Sequence, residues 1–186
     1  MPPIDALTND KRRRFEAHAV PHLDAAYNLA RWLSRSPADA DDIVQEAMLR
    51  AYRAFDGFRG GDAKPWLLAI VRNCFFTAVQ GRRRHLPLPD NHDSDDGSAF
   101  IDEAPNPEQL AMRSNSSRKL NLLIAALPPD FREVLVLREM EDLSYRDIAR
   151  ITGAPVGTVM SRLARARALL KEQWLKDVEG VRNALQ

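Results

Sequence analysis

Residues 144–170 read SYRDIARITGAPVGTVMSRLARARALL, and this segment predicts two short helices separated by a tight turn. Ser144 can cap the first helix, because its hydroxyl can accept a hydrogen bond from a first-turn amide, and Asp147 follows three residues later. Gly153 then ends this helix and Pro155 begins the next, since glycine favours the position after a helix and proline favours its first turn. This order of signals is typical of a helix-turn-helix.

The second predicted helix divides into two faces when successive residues are placed about 100° apart. Its apolar residues fall in one arc, which we predict to pack: Val156, Val159, Met160, Leu163, Ala166 and Leu170. The opposite arc is polar: Thr158, Ser161, Arg162 and Arg165. No acid occurs between residues 156 and 170, so the polar face suits a major groove lined with phosphates and base-edge acceptors. The alternative is an ordinary amphipathic surface helix with solvated arginines.

Composition narrows the class of protein. The 186 residues carry a formal charge of +1, but the charge is segregated, with basic runs at 11–14 and 82–84 and seven acids without Lys or Arg between residues 86 and 112. Cys74 is the single cysteine, which excludes an internal disulfide framework and a Cys-rich zinc site. No run of about 18 apolar residues occurs, so we expect a soluble, cytoplasmic protein without membrane insertion, metal or cofactor.

Helical periodicity appears in two parts of the chain, and no strand pattern competes with it. The sequence therefore predicts an all-α protein in which two small helical domains are joined by a flexible acidic linker, the second domain containing the helix-turn-helix. We predict a loose terminus at 1–10, a first domain at 11–85, a linker with four prolines at 86–107, a second domain at 108–175 and a tail at 176–186.

A helix of the first domain is predicted from about Asp39 to Phe55. Its exposed side mixes both charges: Asp42, Gln45, Glu46, Arg50 and Arg53. Two interpretations stay open for this side. It is either a solvated face with pairs four residues apart, such as Glu46 and Arg50, or a face that docks on another protein.

Segment 56–65, DGFRGGDAKP, is predicted to be a glycine-rich loop that holds one aromatic residue and two cations. A helix should follow from Pro65 to Gly81. The glycine spacing matches neither a dinucleotide fingerprint nor a P-loop. Rings beside cations suit single-stranded DNA, because bases stack on rings while cations hold phosphates. The alternative is that Trp66 and Phe75 or Phe76 belong to the core.

Three motifs together resemble the extracytoplasmic-function sigma factors of bacterial RNA polymerase. They are ADADDIVQEAMLRAYRAF at 38–55, FRGGDAKPWLLAIVRN at 58–73 and LPPDFREVLVLREMEDLSYRDIARITGAPVGTVMSRLARAR at 127–167. The resemblance covers about residues 15–174. The chain departs from the family pattern at Thr77 and Gln80, where Asp and Arg are frequent, and at Met160, where a basic residue is frequent.

The resemblance implies a role for each of these surfaces. Contacts to the minus-thirty-five promoter element would come from Thr158, Ser161, Arg162 and Arg165. Contacts to the minus-ten element, including a flipped base, would come from Phe58, Arg59, Lys64, Trp66, Arg72, Asn73 and Arg83. Docking on core RNA polymerase would use Asp42, Gln45 and Glu46. The implied partners are core RNA polymerase, promoter DNA and an anti-sigma factor, and the acidic linker would thread past the polymerase active site.

We therefore predict a sigma factor that binds core polymerase and directs promoter recognition and opening, and not an enzyme, since nothing in the chain supplies a nucleophile with a base. Two alternatives stay open. A stand-alone helix-turn-helix regulator would bind duplex DNA without polymerase, and an inactive sigma-like interaction protein would fail to initiate transcription. Co-purification with core polymerase and reconstituted transcription separate the three.

Overall fold

The computed structural model of the chain describes residues 4–85 and 115–183, and the predicted linker at 86–107 lies outside these ranges. The first described part, which we call the first lobe, contains α1 (Ile4–Ala19), a 3₁₀ turn (Val20–His22), α2 (Leu23–Ser34), α3 (Pro37–Ala54), a second 3₁₀ turn (Phe55–Gly57) and α4 (Ala63–His85). The second lobe contains α5 (Asn115–Ala126), α6 (Pro129–Leu135), a π-helical segment (Val136–Met140), α7 (Tyr145–Thr152) and α8 (Val156–Asn183). No strand occurs in the two described ranges, which confirms the all-α prediction.

The helix boundaries follow the capping signals of the sequence. The Ser36 hydroxyl accepts a hydrogen bond from the Asp39 amide at 3.3 Å, and the Ser144 hydroxyl accepts one from the Asp147 amide at 3.1 Å. Gly153 has φ of +70°, the left-handed conformation that glycine adopts without a steric penalty. The two predicted helices at 144–170 and their turn are thus confirmed.

Two boundaries differ from the prediction. Residues 4–10 are helical, so the expectation of a loose terminus was wrong for them. Helix α4 begins at Ala63 and continues through Gly81 to His85, beyond the predicted end. A glycine inside a helix costs only about 1 kcal/mol relative to alanine, which the packing of the preceding turns offsets.

The core of the first lobe lies where α2, α3 and α4 pack against one another. Small and branched side chains fill it: Ala26, Leu29, Ala30, Leu33, Ala47, Leu67, Leu68 and Val71, of which all but Leu33 are fully buried. Helix α1 closes one end, because the ring of Phe15 packs edge-on against Tyr52 at 5.2 Å and against Phe55 at 5.4 Å between ring centroids. Helix α1 is thereby held against the end of α3 and the 3₁₀ turn that follows it.

The second lobe is built around α8, which packs on α5, α6 and α7. Its fully buried side chains are Val134, Val136, Leu137, Ile148, Val159 and Ala166, and Leu163 is nearly so. Helix α7 and the first half of α8 therefore form a helix-turn-helix whose inner faces share one core.

The two lobes also pack against each other. Helix α4 contacts α7, and α2 contacts α6 and the π-helical segment. The buried apolar side chains of the two lobes form one continuous cluster. The second lobe consequently covers one side of α4, the helix that carries most of the residues expected to hold the minus-ten element.

Candidate nucleic-acid interface

The outward face of α8 differs from the face that the sequence predicted. Val159, Leu163 and Ala166 are buried as expected, but Val156 is 39% and Met160 is 52% exposed, so the prediction that these two pack was wrong. The outward face consists of residues three and four positions apart: Gly157, Met160, Ser161, Ala164 and Arg165. The predicted face contained only hydroxyls and arginines. The observed face has one hydroxyl and one arginine, and its other members are apolar or small.

The other two predicted contacts on α8 lie at the edge of this face. Arg162 is partly buried and pairs with Asp130 at the start of α6, with 2.5 Å between Nη2 and Oδ2. Thr158 is half-buried, and its carbonyl accepts a hydrogen bond from the Ser161 hydroxyl at 2.9 Å. Arg165 is exposed. Of the two arginines, Arg165 is the one that projects from the outward face.

Aromatic side chains connect the glycine-rich loop to the start of α4. Phe58 stacks on Phe55 with 5.7 Å between ring centroids and lies 5.0 Å from Trp66. Phe55 is buried, whereas Phe58 and Trp66 are half-buried and Arg59 beside them is exposed. Phe58 and Trp66 therefore pack in part against the core, and the platform interpretation stays a prediction.

The predicted minus-ten residues of α4 occupy two sides of the helix. Trp66 and Asn73 are seven residues apart and share one side, where Asn73 is exposed. Lys64 and Arg72 lie on the other side of the helix, about half a turn and about a third of a turn from Trp66, respectively. The second lobe covers that side, so the structure does not bring all the predicted residues into one open surface.

Arg72 contacts a buried carboxylate of the second lobe. Its Nε donates to Glu133 Oε1 at 2.6 Å, and the Glu133 side chain is 3% exposed. Burial raises the pKa of Glu133, while the Arg72 charge acts in the opposite direction. The guanidinium of Arg72 also lies over the ring of Phe76, 4.5 Å from its centroid. These contacts leave only 21% of the Arg72 side chain exposed to solvent.

Lys64 is held in the same way by Glu141. Its ammonium donates to the Glu141 carbonyl oxygen at 2.8 Å and lies 2.9 Å from the carboxylate Oε2. Asn28 of α2 donates to the other carboxylate oxygen at 2.6 Å. Glu141 follows the π-helical segment and precedes Asp142, whose φ is +52°. This irregular backbone places Glu141 against the first lobe.

The predicted polymerase-docking side of α3 is accessible. Asp42 and Gln45 are exposed, while Glu46 is half-buried and its Oε1 accepts a hydrogen bond from Arg50 at 2.6 Å. Leu49 lies among them and is 49% exposed. The sequence interpretation missed Leu49, although an apolar residue outside the packing face of an amphipathic helix is a readable signal.

The remaining predictions concern Arg83, Cys74, metal binding and membrane insertion. Arg83 lies on α4, but its side chain lies outside the described residues; its neighbour Arg82 pairs with Asp39. Cys74 is buried, and burial raises the pKa of its thiol. Within residues 4–85 and 115–183, no His, Cys, Asp and Glu side chains cluster as a metal site would require. The helices of these ranges are too short or too polar to cross a bilayer.

Comparisons with known proteins match both lobes to one family. Residues 18–85 match the family model described as Sigma-70 region 2, and residues 117–170 match the one described as Sigma-70, region 4. The chain is 36% identical over 157 residues to the ECF RNA polymerase sigma factor SigE of Mycolicibacterium smegmatis, covering 83% of this chain and 59% of that relative. It is 37% identical to the ECF RNA polymerase sigma-E factor of Haemophilus influenzae, covering 78% of each.

A solved structure is similar as well. The sigma factor RpoE of Bartonella quintana, crystallised with the anti-sigma factor NepR, aligns with a TM-score of 0.63 and 28% sequence identity. The alignment covers 86% of this chain and 96% of that one. The similarity in arrangement therefore extends over both lobes.

Proposed function

The chain belongs to the extracytoplasmic-function (ECF) RNA polymerase sigma factors, which direct transcription initiation, and we propose how its parts divide that function. Residues 11–85 dock on core polymerase and open the minus-ten element. Residues 108–175 read the minus-thirty-five element, and residues 86–107 join the two. The observation that carries this division is that a partly exposed aromatic cluster at the start of α4 and an outward helix-turn-helix face occur in one chain that matches both sigma-70 regions.

Docking on core polymerase uses the exposed side of α3. Asp42, Gln45 and Glu46 supply polar contacts there, and Leu49 supplies an apolar centre, since 49% of it is exposed beside them. Interfaces commonly place such an apolar anchor inside a polar rim. Leu49 therefore adds to the three residues that the sequence had indicated.

The minus-ten strand is held by rings and cations together. Phe58 and Trp66 offer partly exposed rings, and Asn73 lies on the same side of α4 as Trp66. Positive charge comes from Arg59, Lys64, Arg72 and Arg83. Base stacking contributes about 1–3 kcal/mol per base, which offsets the unpairing of a weak A·T-rich site. Duplex opening is then driven by binding energy alone, and the protein needs no catalytic residue.

The minus-thirty-five element is read by the outward face of α8. Ser161 and Arg165 supply hydrogen bonds, with Thr158 and Arg162 at the edge for backbone contacts. Met160 lies on this face beside the buried row of α8, and an apolar side chain there suits the C5 methyl group of thymine. Position 160 therefore selects for a methyl group where a basic residue would select for guanine or phosphate.

Partners and location follow from the same proposal. The chain acts in the cytoplasm on core polymerase and promoter DNA. The similar RpoE structure contains the anti-sigma factor NepR, and we assign this chain an anti-sigma partner of its own on that ground.

Run-off transcription with purified core polymerase over a library of genomic promoters tests the proposed function. The expected result is initiation at a subset of promoters that share two elements, with no transcript from core polymerase alone. Binding of duplex DNA without polymerase, or a holoenzyme that forms and never initiates, would replace the proposal by one of the two alternatives.

A further inference from the structure

The basic run at residues 11–14 lies in α1, and one side of this helix borders the aromatic cluster at the start of α4. We propose that Arg14 and His18 of α1 form a further part of the single-strand binding surface. His18 stacks on a base and Arg14 contacts a phosphate, next to the nucleotides held at Phe58 and Trp66. The inference rests on the proposed function of Phe58 and Trp66 in strand binding.

His18 extends the row of rings that begins at Trp66. Its ring lies edge-on to Phe58 with 5.8 Å between ring centroids, and Phe58 lies 5.0 Å from Trp66. His18 is exposed, while Phe58 and Trp66 are half-buried, so these ring contacts lie at the surface. Histidine is among the side chains on which unpaired bases stack. The three rings therefore offer stacking positions to successive bases of one strand.

A hydrogen bond fixes the orientation of the His18 ring. Its Nδ1 lies 2.8 Å from the carbonyl oxygen of Arg14, one helical turn earlier. Because a carbonyl oxygen only accepts, Nδ1 carries the proton and donates it. Nε2 is then the ring nitrogen that can meet a phosphate or a base edge. A ring that is oriented before the strand arrives loses less conformational entropy on binding.

Arg14 places a positive charge beside these rings. Its guanidinium lies over the ring of Phe55, 5.8 Å from the centroid, and the residue is exposed. Arg14 and His18 are four residues apart, which makes them neighbours on one side of α1. A guanidinium can stack on a ring and still donate N–H groups to a phosphate. Arg14 can therefore hold the backbone of a strand whose base stacks on His18.

Two other cations of α1 reduce the negative charge of the same region. Lys11 Nζ lies 2.6 Å from Asp56 Oδ2, and Arg12 Nε lies 2.8 Å from Glu16 Oε1. Asp56 lies in the 3₁₀ turn that precedes the glycine-rich loop. An unpaired carboxylate at this position would repel the phosphates of a strand. Lys11 and Arg12 are thus paired with acids, and Arg14 is the member of the run that borders the rings.

The test for Arg14 uses reconstituted holoenzyme and a promoter fragment whose minus-ten region is a single-stranded non-template tail. Fluorescence anisotropy gives the affinity at several salt concentrations. Arg14→Ala should lower the log–log salt slope by about 0.7, the value for one phosphate contact on a single strand. The matched control Arg13→Ala should keep the wild-type slope. Arg13 is also exposed, but it lies about 160° around α1 from the buried Phe15.

Two substitutions separate stacking by His18 from a structural role. His18→Ala should weaken binding of the tailed fragment by about fivefold or more, as expected for the loss of one stacked base. His18→Phe keeps a ring at this position and should bind the fragment as wild type does. Both variants lack the hydrogen bond to the Arg14 carbonyl. Equal losses in the two would therefore assign His18 a structural role and overturn the stacking assignment.

A promoter fragment that ends upstream of the minus-ten region completes the test, and every variant should bind it as wild type does. If Arg14→Ala fails to fold, as circular dichroism would reveal, Arg14→Gln replaces it and should show the same change in slope. Equal slopes for the Arg14 and Arg13 variants would overturn the phosphate contact. A loss that persists without the tail would overturn it as well and would indicate a contact with polymerase.

The wild-type holoenzyme distinguishes a failure of this inference from a failure of the proposed function. If it binds the tailed fragment more tightly than the fragment without the tail and initiates at promoters, negative results with the variants refute only the role of α1. If the tail adds nothing to the affinity of wild-type holoenzyme, the proposed binding of the minus-ten strand by the first lobe is itself wrong.

Discussion

Replacement of Met160 by alanine tests whether the outward face of α8 reads a thymine methyl group. About half of the Met160 side chain is already in contact with its own lobe, since the residue is 52% exposed, and the remainder is enough to cover one methyl group. A buried methyl or methylene group contributes about 0.8 kcal/mol. We therefore expect Met160→Ala to weaken binding to the minus-thirty-five element by about fourfold, a change of about 0.8 kcal/mol.

The assay measures holoenzyme binding to promoter duplexes in which each thymine of the upstream element is replaced in turn by deoxyuridine. This replacement removes the C5 methyl group and leaves the hydrogen-bonding pattern unchanged. The wild-type holoenzyme should lose about fourfold at one position, whereas Met160→Ala should lose nothing further there. The free energy of unfolding should change by less than about 0.5 kcal/mol, because Met160 lies at the surface, outside the core of the lobe.

Leu175→Ala is the control for this prediction. Leu175 lies on the same helix and is 49% exposed, but it is four turns away from Met160 along α8, outside the recognition face. The control should bind every duplex as wild type does. Equal sensitivity of wild type and Met160→Ala to deoxyuridine at all positions would refute the assignment of a methyl contact to Met160.

Three further predictions concern the turn, the docking face and the outward arginine. In chemical denaturation, Gly153→Ala should lower the free energy of unfolding by about 1 kcal/mol, because the φ of Gly153 is +70°. The control Gly157→Ala should not lower it, because Gly157 lies in α8 with open space around it. Equal losses in the two variants would contradict the role assigned to the turn. In a competition assay, Leu49→Glu should weaken core polymerase binding by about 1.5 kcal/mol. The control Leu122→Glu should not weaken it, since Leu122 is 57% exposed on α5, away from the docking side. An effect shared by both variants would indicate general charge repulsion. Arg165→Ala should reduce holoenzyme affinity for the minus-thirty-five element by about 1–3 kcal/mol and relax one base position; a uniform loss over all sequences would instead make it a phosphate contact.

Local features of the fold were predictable because their causes are local. Ser144, Gly153 and Pro155 act on backbone groups within a few residues of themselves, so their positions alone indicated the helix-turn-helix. Residues 4–10 were mispredicted as loose because they extend α1, a helix that is held by tertiary contacts such as the ring of Phe15 against Phe55. Propensity alone contains no information on such distant partners.

The outward face of α8 was only partly predictable. Amphipathic spacing identified Val159 and Leu163 as buried, but the width of a buried arc depends on how far the neighbouring helices reach around α8. Helices α6 and α7 cover the row of Val159, Leu163 and Ala166 and stop short of Met160. An apolar residue at the edge of an arc, such as Met160, is therefore ambiguous from sequence.

The contacts between the lobes were not predictable at all, because they join residues 61 and 77 positions apart. These ion pairs add to the continuous apolar cluster of the two lobes, and their chemistry limits what they contribute to stability. Burial raises the pKa of Glu133 in spite of Arg72, so pairing does not fully offset the loss of hydration of this carboxylate. A buried ion pair of this kind therefore determines which surfaces of the two lobes pack together, and contributes less to the stability of that packing.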